Sequence, residues 1–184
     1  MTDFVPFEPS ARAQRAGAAV TIRAATAADV EGLALVMAVR GGDVTEHRER
    51  ARRLVERLPV LSVAETGTGL VGWSGAQTSE IEPGRGGEWL VAGLTVVPAS
   101  RRQGIAARLL RHVVGEVHRC AAGEPVYSVI NARNLASLEL HCRLGFAEVA
   151  RAATFARVEF TGGEGVLLRL GPSRDARAVT AAER

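Results

Sequence analysis

Leu94-Thr95-Val96-Val97-Pro98-Ala99-Ser100-Arg101-Arg102-Gln103-Gly104-Ile105-Ala106 joins an apolar segment to a helical one. The segment that leads into it, Glu88 to Val97, is apolar on both faces, as expected of a central strand covered by helices on each side, and Pro98 ends it. Beyond Gly104, the residues Ile105, Leu109, Leu110, Val113, Val114 and Val117 recur at helical spacing and predict a helix with one inward stripe. A strand, a short glycine-containing turn and a helix opening together present unpaired N–H groups at the positive end of the helix dipole. Such a turn suits a pyrophosphate. Gly104 lets a phosphate approach the backbone closely, Ala106 is nearly as small, and Arg101 and Arg102 add cationic donors. An ordinary strand-to-helix turn accounts for the same residues. The three-glycine spacing and later ribose-binding acid of a dinucleotide fold are missing.

Working outward, Val20-Thr21-Ile22-Arg23 alternates like a short strand. Thr26-Ala27-Ala28-Asp29 has the form of a capping box with the shorter acid, followed by Val30, Leu33, Val36 and Met37 at helical spacing and a stop at Gly41-Gly42. Val44 to Leu58 predicts a second, charge-dense helix that buries Val44, Ala51, Leu54, Val55 and Leu58. Val60 to Glu65 and Leu70 to Gln77, around Gly67-Thr68-Gly69, predict a hairpin. Pro125 to Asn131 predicts a buried strand, and Asn134 to Leu144 a fourth helix with Asn134 as N-cap and Gly145 as its C′ residue. Phe146 to about Thr161 and Gly165 to Leu170 close the pattern as a strand hairpin. The order β-α-α-β-β-β-α-β-α-β-β predicts one α/β (α+β) domain, a mixed six- to seven-stranded sheet flanked by about four helices. Residues 20–171 are expected to form it, with a flexible extension at 1–19 and a polar tail at 172–184.

The chain has 184 residues, enough for one domain with a full core. At 47% hydrophobic and 23% charged residues it is ordinary for a globular protein. No apolar run reaches the roughly 20 residues that span a bilayer, and the N-terminus lacks the order of a signal peptide, so a cytoplasmic location is expected. The net charge of +3 and the Arg-rich helix at Val44–Leu58 raise nucleic-acid binding as an option. Interleaved acids and few aromatics argue against it. The 23 basic residues are all arginine, which excludes Schiff-base catalysis through lysine and a P-loop lysine. Cys120 and Cys142 have no paired spacing, and His47, His112 and His118 lack partners at ligand spacing, so no disulfide and no metal is expected.

Together the motifs resemble the GNAT superfamily of acetyl-CoA-dependent N-acetyltransferases. Arg101-x-x-Gly104-x-Ala106 after a strand is similar to that family's cofactor motif. Downstream, Asn134-x-x-Ser137-x-x-x-His141-x-x-x-Gly145-Phe146 is similar to its Asn-x-x-Ala/Ser-x-x-x-Tyr-x-x-x-Gly-Phe helix. Ile22-Arg23 with Asp29 matches the usual first strand and helix, so the likeness runs from about Val20 to Leu170. The resemblance implies a bulged fourth strand splayed from the fifth, with the pantetheine of acetyl-CoA in the gap. Leu94, Thr95 and Val96 then lie beside that arm. Arg101, Arg102, Gln103, Gly104, Ile105, Ala106 and Ala107 surround the pyrophosphate, and Asn134, His141 and Arg143 complete the cofactor set.

Acetyl transfer to an amine needs a base, because an ammonium with a pKa of about 10 must lose its proton before attack. It also needs a donor to the departing thiolate. Glu88 is the first candidate base, on the face of Leu90, Ala92 and Leu94 if the strand alternates without a bulge. Glu80 and Glu82 are weaker choices. His141 stands where the family has Tyr and is the candidate acid, assisted by Ser137 one turn earlier; the alternative role is a pocket wall. Tyr127, Trp73 and Trp89 are expected in the core, and Cys142 is expected to pack with Leu138.

The resulting expectation is an N-acetyltransferase acting on a primary amine of a small molecule or peptide by direct attack in a ternary complex. The alternative is a catalytically silent acyl-CoA-binding module, favoured by the Tyr-to-His change. Asp43, Glu46, Glu80 and Glu82 would give the acceptor rim a negative character. The sequence leaves oligomeric state open, a symmetric homodimer being the commonest arrangement.

Overall fold

A computed structural model describes residues 19–81, 87–160 and 162–171. The expected tail, all but one residue of the expected N-terminal extension, and Glu82 lie outside them. Seven strands form one sheet in the order β1-β2-β3-β4-β5-β9-β6, with β1 Thr21–Ala24, β2 Val60–Thr66, β3 Gly69–Ser79, β4 Glu88–Val96, β5 Val126–Asn131, β6 Ala147–Ala152 and β9 Gly165–Leu170. Every neighbouring pair is antiparallel except β4 and β5. Four helices cover it: α1 Val30–Ala38, α2 Val44–Arg57, α3 Ile105–Cys120 and α4 Leu135–Arg143.

Alternation sorts the strand residues onto two faces. Leu61, Val63 and Trp73 pack with Leu33, Val36 and Met37 of α1 and Ala51 of α2. Val60, Ala76, Val126, Ile130, Val166 and Leu168 pack on the opposite face with Leu110, Val113 and Val117 of α3 and with Phe146. Trp73 is buried and Trp89 packs half-buried against the second core. Tyr127 lies half-buried beside a third cluster of Ile81, Leu90, Phe155 and Leu167. Cys142 is exposed.

The segment read as one strand from Phe146 breaks up. After β6 the chain forms a separate two-stranded ribbon, β7 Thr154–Phe155 with β8 Val158–Glu159. Its two-residue turn is Ala156-Arg157, both at positive φ (49° and 60°). Non-glycine residues in that conformation give no turn signature, so the interruption is invisible to pattern reading.

The entry to α1 is fixed by charge. Thr26 N–H donates to Asp29 Oδ2 (2.7 Å), and Arg23 forks the same carboxylate through Nη1 and Nη2 (2.7 and 2.8 Å). The Arg23 guanidinium, aided by the Thr26 donors, holds the Asp29 carboxyl below its ordinary pKa. A depressed carboxylate pKa stabilises the fold above the unfolded value of about 3.9 and loses that contribution as pH falls through the folded value. Asp29→Ala should therefore cost about 2–3 kcal/mol at pH 7. Urea denaturation should show the difference from the wild type shrinking below pH 4.

Candidate active site

The parallel pairing of β4 with β5 consists of two positions, Trp89 with Val126 and Leu90 with Tyr127. Past Leu90, β4 stays paired to β3 as far as Val96. β5 stays paired to β9 as far as Asn131. Each strand is held on its outer side while the inner edges part. The separation coincides with a β-bulge, because Ala76 faces Val91 and Gly75 faces Gly93, leaving Ala92 unopposed. Two glycines meet there for steric reasons. A Cβ on Gly93 would sit 2.6 Å from Trp73 Cη2, and one on Gly75 would sit 2.4 Å from Leu58 Cδ2.

The bulge overturns the expected placement of Glu88. Alternation keeps Glu88 with Leu90, but past Ala92 that face continues through Gly93 and Thr95, while Leu94 and Val96 turn to the α3 side. Glu88 is half-buried and borders none of the cavities described below. Its Cα lies roughly 13–16 Å along the strand from Gly93, at about 3.3 Å per residue.

The gap between the parted strands is a cleft of about 240 Å³, bordered by Val91, Gly93 and Leu94 on one side and Ser128, Val129 and Ile130 on the other. Asn134, Ser137 and His141 of the α4 segment border it from one face of the sheet, and Arg40 and Phe160 are also on its rim. A second space of about 380 Å³, bordered by Arg40, Leu94, Thr95, Val96 and Arg101 with Asn134 and Ser137, continues it. That space leads into a groove of about 750 Å³ between the starts of α3 and α4. The groove carries Arg101, Arg102, Gly104, Ile105, Ala106 and Ala107 on one wall and Arg143 on the other, with Arg111 beside them. Of the residues expected to hold a cofactor, Gln103 alone borders none of these spaces; its amide donates weakly to Ala99 O (3.4 Å).

The helix starts differ. Asp43 caps α2 by accepting from Thr45 N–H (2.7 Å), and Asn134 caps α4 by accepting from Ser137 N–H (3.2 Å). At α3 the N-cap is Gly104 at φ 76°, with no side-chain cap. Arg102 also sits at positive φ (60°). The first backbone bond of the helix runs from Arg108 N–H to Gly104 O, and Arg102, Gln103 and Gly104 donate to no backbone carbonyl among the described residues. A Cβ on Gly104 would meet nothing within 4 Å. Open space, free amides and the dipole end coincide, and these residues fit a diphosphate. Arg101 is fixed by its own strand, donating from Nε to Val96 O (3.1 Å).

His141 is 1% exposed. Its Nδ1 lies 2.8 Å from Ser137 O and its Nε2 lies 3.1 Å from Ser128 Oγ. A carbonyl only accepts, so the proton is on Nδ1, and Nε2 accepts from the Ser128 hydroxyl. Phe146 meets the ring edge-on at 5.1 Å. Burial pushes the His141 pKa below its usual value, against a smaller opposing effect of the Ser137 carbonyl. Ser128, 4% exposed, was not among the expected site residues, although the alternation Val126, Ser128, Ile130 marks it as an inward polar residue. No helix among the described residues is long and apolar enough to cross a membrane. No group of three or more metal-ligating side chains occurs among them.

With this geometry in place, the comparisons fix the class. The acetyltransferase (GNAT) family profile matches residues 41–146, more than half of the chain, and the protein belongs to that family. Among solved structures it is similar to yncA of Salmonella typhimurium, determined with its cofactor acetyl-CoA (TM-score 0.66, 22% identity, 85% of this chain and 95% of that one). It is similar to the ribosomal-protein-alanine N-acetyltransferase of Brucella melitensis (TM-score 0.64, 23% identity, 82% and 99%). A phosphinothricin acetyltransferase of Sinorhizobium meliloti in complex with acetyl-CoA is likewise similar (TM-score 0.60, 22% identity, 84% and 89%). At these identities the likeness is one of fold. No curated protein matches the sequence significantly.

A histidine with a lowered pKa destabilises the fold as pH falls below the unfolded value of about 6.5. The His141 imidazole nitrogens should report a neutral ring protonated on Nδ1 at pH 7, titrating below 6.5. An NMR midpoint at or above 6.5 contradicts the neutral assignment.

Proposed function

We propose that the protein is an N-acetyltransferase that moves the acetyl group of acetyl-CoA to a primary amine within a ternary complex. One observation carries the proposal. The gap where β4 and β5 part is continuous with the arginine-bordered groove whose helix start has no side-chain cap. When bound, acetyl-CoA supplies an acetyl thioester, activated toward attack by nitrogen. The free amides from Arg102 to Ala107 bind the diphosphate, with Arg101, Arg102 and Arg143 adding charge. Unpaired strand edges at Val91–Leu94 pair with the pantetheine amides, and a backbone N–H on the bulged strand polarises the carbonyl. Asn134 serves both as helix cap and as a contact for the same arm.

Nitrogen forms a bond to the acetyl carbon and the carbon–sulfur bond breaks; of the two protons the ammonium loses, the first leaves to base and solvent before attack and the second ends on the departing thiolate. Glu88 lies too far along β4 for direct proton abstraction and acts through a chain of waters. His141 positions rather than donates, its one proton being held by the Ser137 carbonyl. The Ser137 hydroxyl, on the same rim, is the hydrogen-bond donor to sulfur. The second reading, a silent acyl-CoA-binding module, is favoured by one fact: no carboxylate borders the gap among the described residues.

Thiol release from acetyl-CoA across an amine panel decides between them, since a silent module binds acetyl-CoA without releasing thiol. Gly104→Glu, which puts bulk and negative charge into open space, should abolish CoA binding in calorimetry, with a stability loss limited to the strain of positive φ, about 1–2 kcal/mol. Normal CoA affinity in this variant overturns the diphosphate assignment.

A further inference from the structure

Charge at the gap is one-sided among the described residues. Arg40 is the one arginine on its rim, no carboxylate borders it, and burial lowers the pKa of His141. Of the acids expected to make the rim negative, Glu82 lies outside the described residues and the other three do not border the gap. Asp43 caps α2, Glu80 is 3.7 Å from Arg157, and Glu46 is exposed away from the described cavities. Most arginines outside the cavities are paired: Arg23 with Asp29, Arg48 with Glu31, Arg52 with Glu49, Arg151 with Glu148. Arg40 makes no ion pair or side-chain hydrogen bond among the described residues.

Its backbone is nonetheless held in place. It ends the turn after α1, where Arg40 N–H donates to Met37 O (3.1 Å) and Gly41 N–H to Ala38 O (2.9 Å). Gly41 and Gly42 follow at φ 100° and 94°, and His47 Nε2 clasps Gly41 O at 2.8 Å. A Cβ on Gly42 would lie 2.8 Å from the same imidazole nitrogen. Moreover, α1 packs on the Trp73 face of the sheet, opposite the face that carries α3. The diphosphate groove, with its own arginines, opens on the α3 side. Arg40 thus reaches the gap from the face opposite α3, the side left for the acceptor, and it also borders the second space that leads to the groove.

We infer that the acceptor is an amine carrying a carboxylate beside it, an amino-acid-like molecule, and that Arg40 binds the carboxylate and so sets specificity. A guanidinium beside a free ammonium is repulsive; beside an amino carboxylate its repulsion is offset by a charge-assisted hydrogen bond. The inference rests on the transferase reading above.

Its test is thiol release with the free amino acids and their matching carboxamides, in wild type, Arg40→Gln and Arg40→Lys. The amide's amine is less basic, so without carboxylate recognition the amide reacts faster. The expected result is a wild-type preference for the acids. Arg40→Gln should raise KM for the acids about 10- to 100-fold, leave the amides and the acetyl-CoA Kd unchanged, and Arg40→Lys should restore part of the preference. Amides reacting at least as fast as acids in wild type, or acetyl-CoA binding lost with Arg40→Gln, overturns the inference and leaves the transferase reading intact. No thiol release from any acceptor, with acetyl-CoA still bound, overturns both.

Discussion

Two strands that pair twice and then part create the site. Backbone N–H and C=O groups freed inside a sheet are costly unless something satisfies them, and here the outer edges of β4 and β5 are already taken by β3 and β9. The inner edges therefore face each other across a cleft and remain available to a ligand with amides of its own. The bulge at Ala92 opens the cleft, and the Gly75–Gly93 pair makes room for the Leu58 and Trp73 side chains beside it. An added side chain at either glycine would push against the core that positions the cleft.

The second constraint is an omission. α2 and α4 begin with side chains that accept from their own amides, whereas α3 begins with a glycine that cannot. Leaving three or more donors unfilled at a helix start costs stability in the isolated fold. The arginines around the groove add repulsion to that cost. On the proposed reading both are relieved by one multivalent anion, and Arg101 ties the turn to its strand through Val96 O.

How far the sequence reads depends on whether a feature is local. The turn at Arg101–Ala106, the Asn134 cap and the inward stripe of α3 follow from residue type and spacing alone, and the strand and helix order follows with them. Glu88 was misplaced because a bulge is decided by the neighbouring strand: nothing in Val91-Ala92-Gly93 marks which residue will lack a partner. Arg40 went unmarked for a related reason, since a residue at the end of the first helix meets β4 only through the tertiary packing of α1. The Ala156-Arg157 turn hid behind residues that rarely take positive φ. Ser128 was legible in principle, as a hydroxyl at an inward strand position.

The cleft is bordered by residues from both faces of the sheet, Gly93 and Val129 on one and Leu94, Ile130 and His141 on the other. On the proposed reading it is a passage with two mouths rather than a blind pouch. Donor and acceptor then need not queue at a common doorway, and neither product blocks the exit of the other. Such a molecule imposes no steric order of arrival, so any compulsory sequence in its kinetics must come from one partner reshaping the passage for the next.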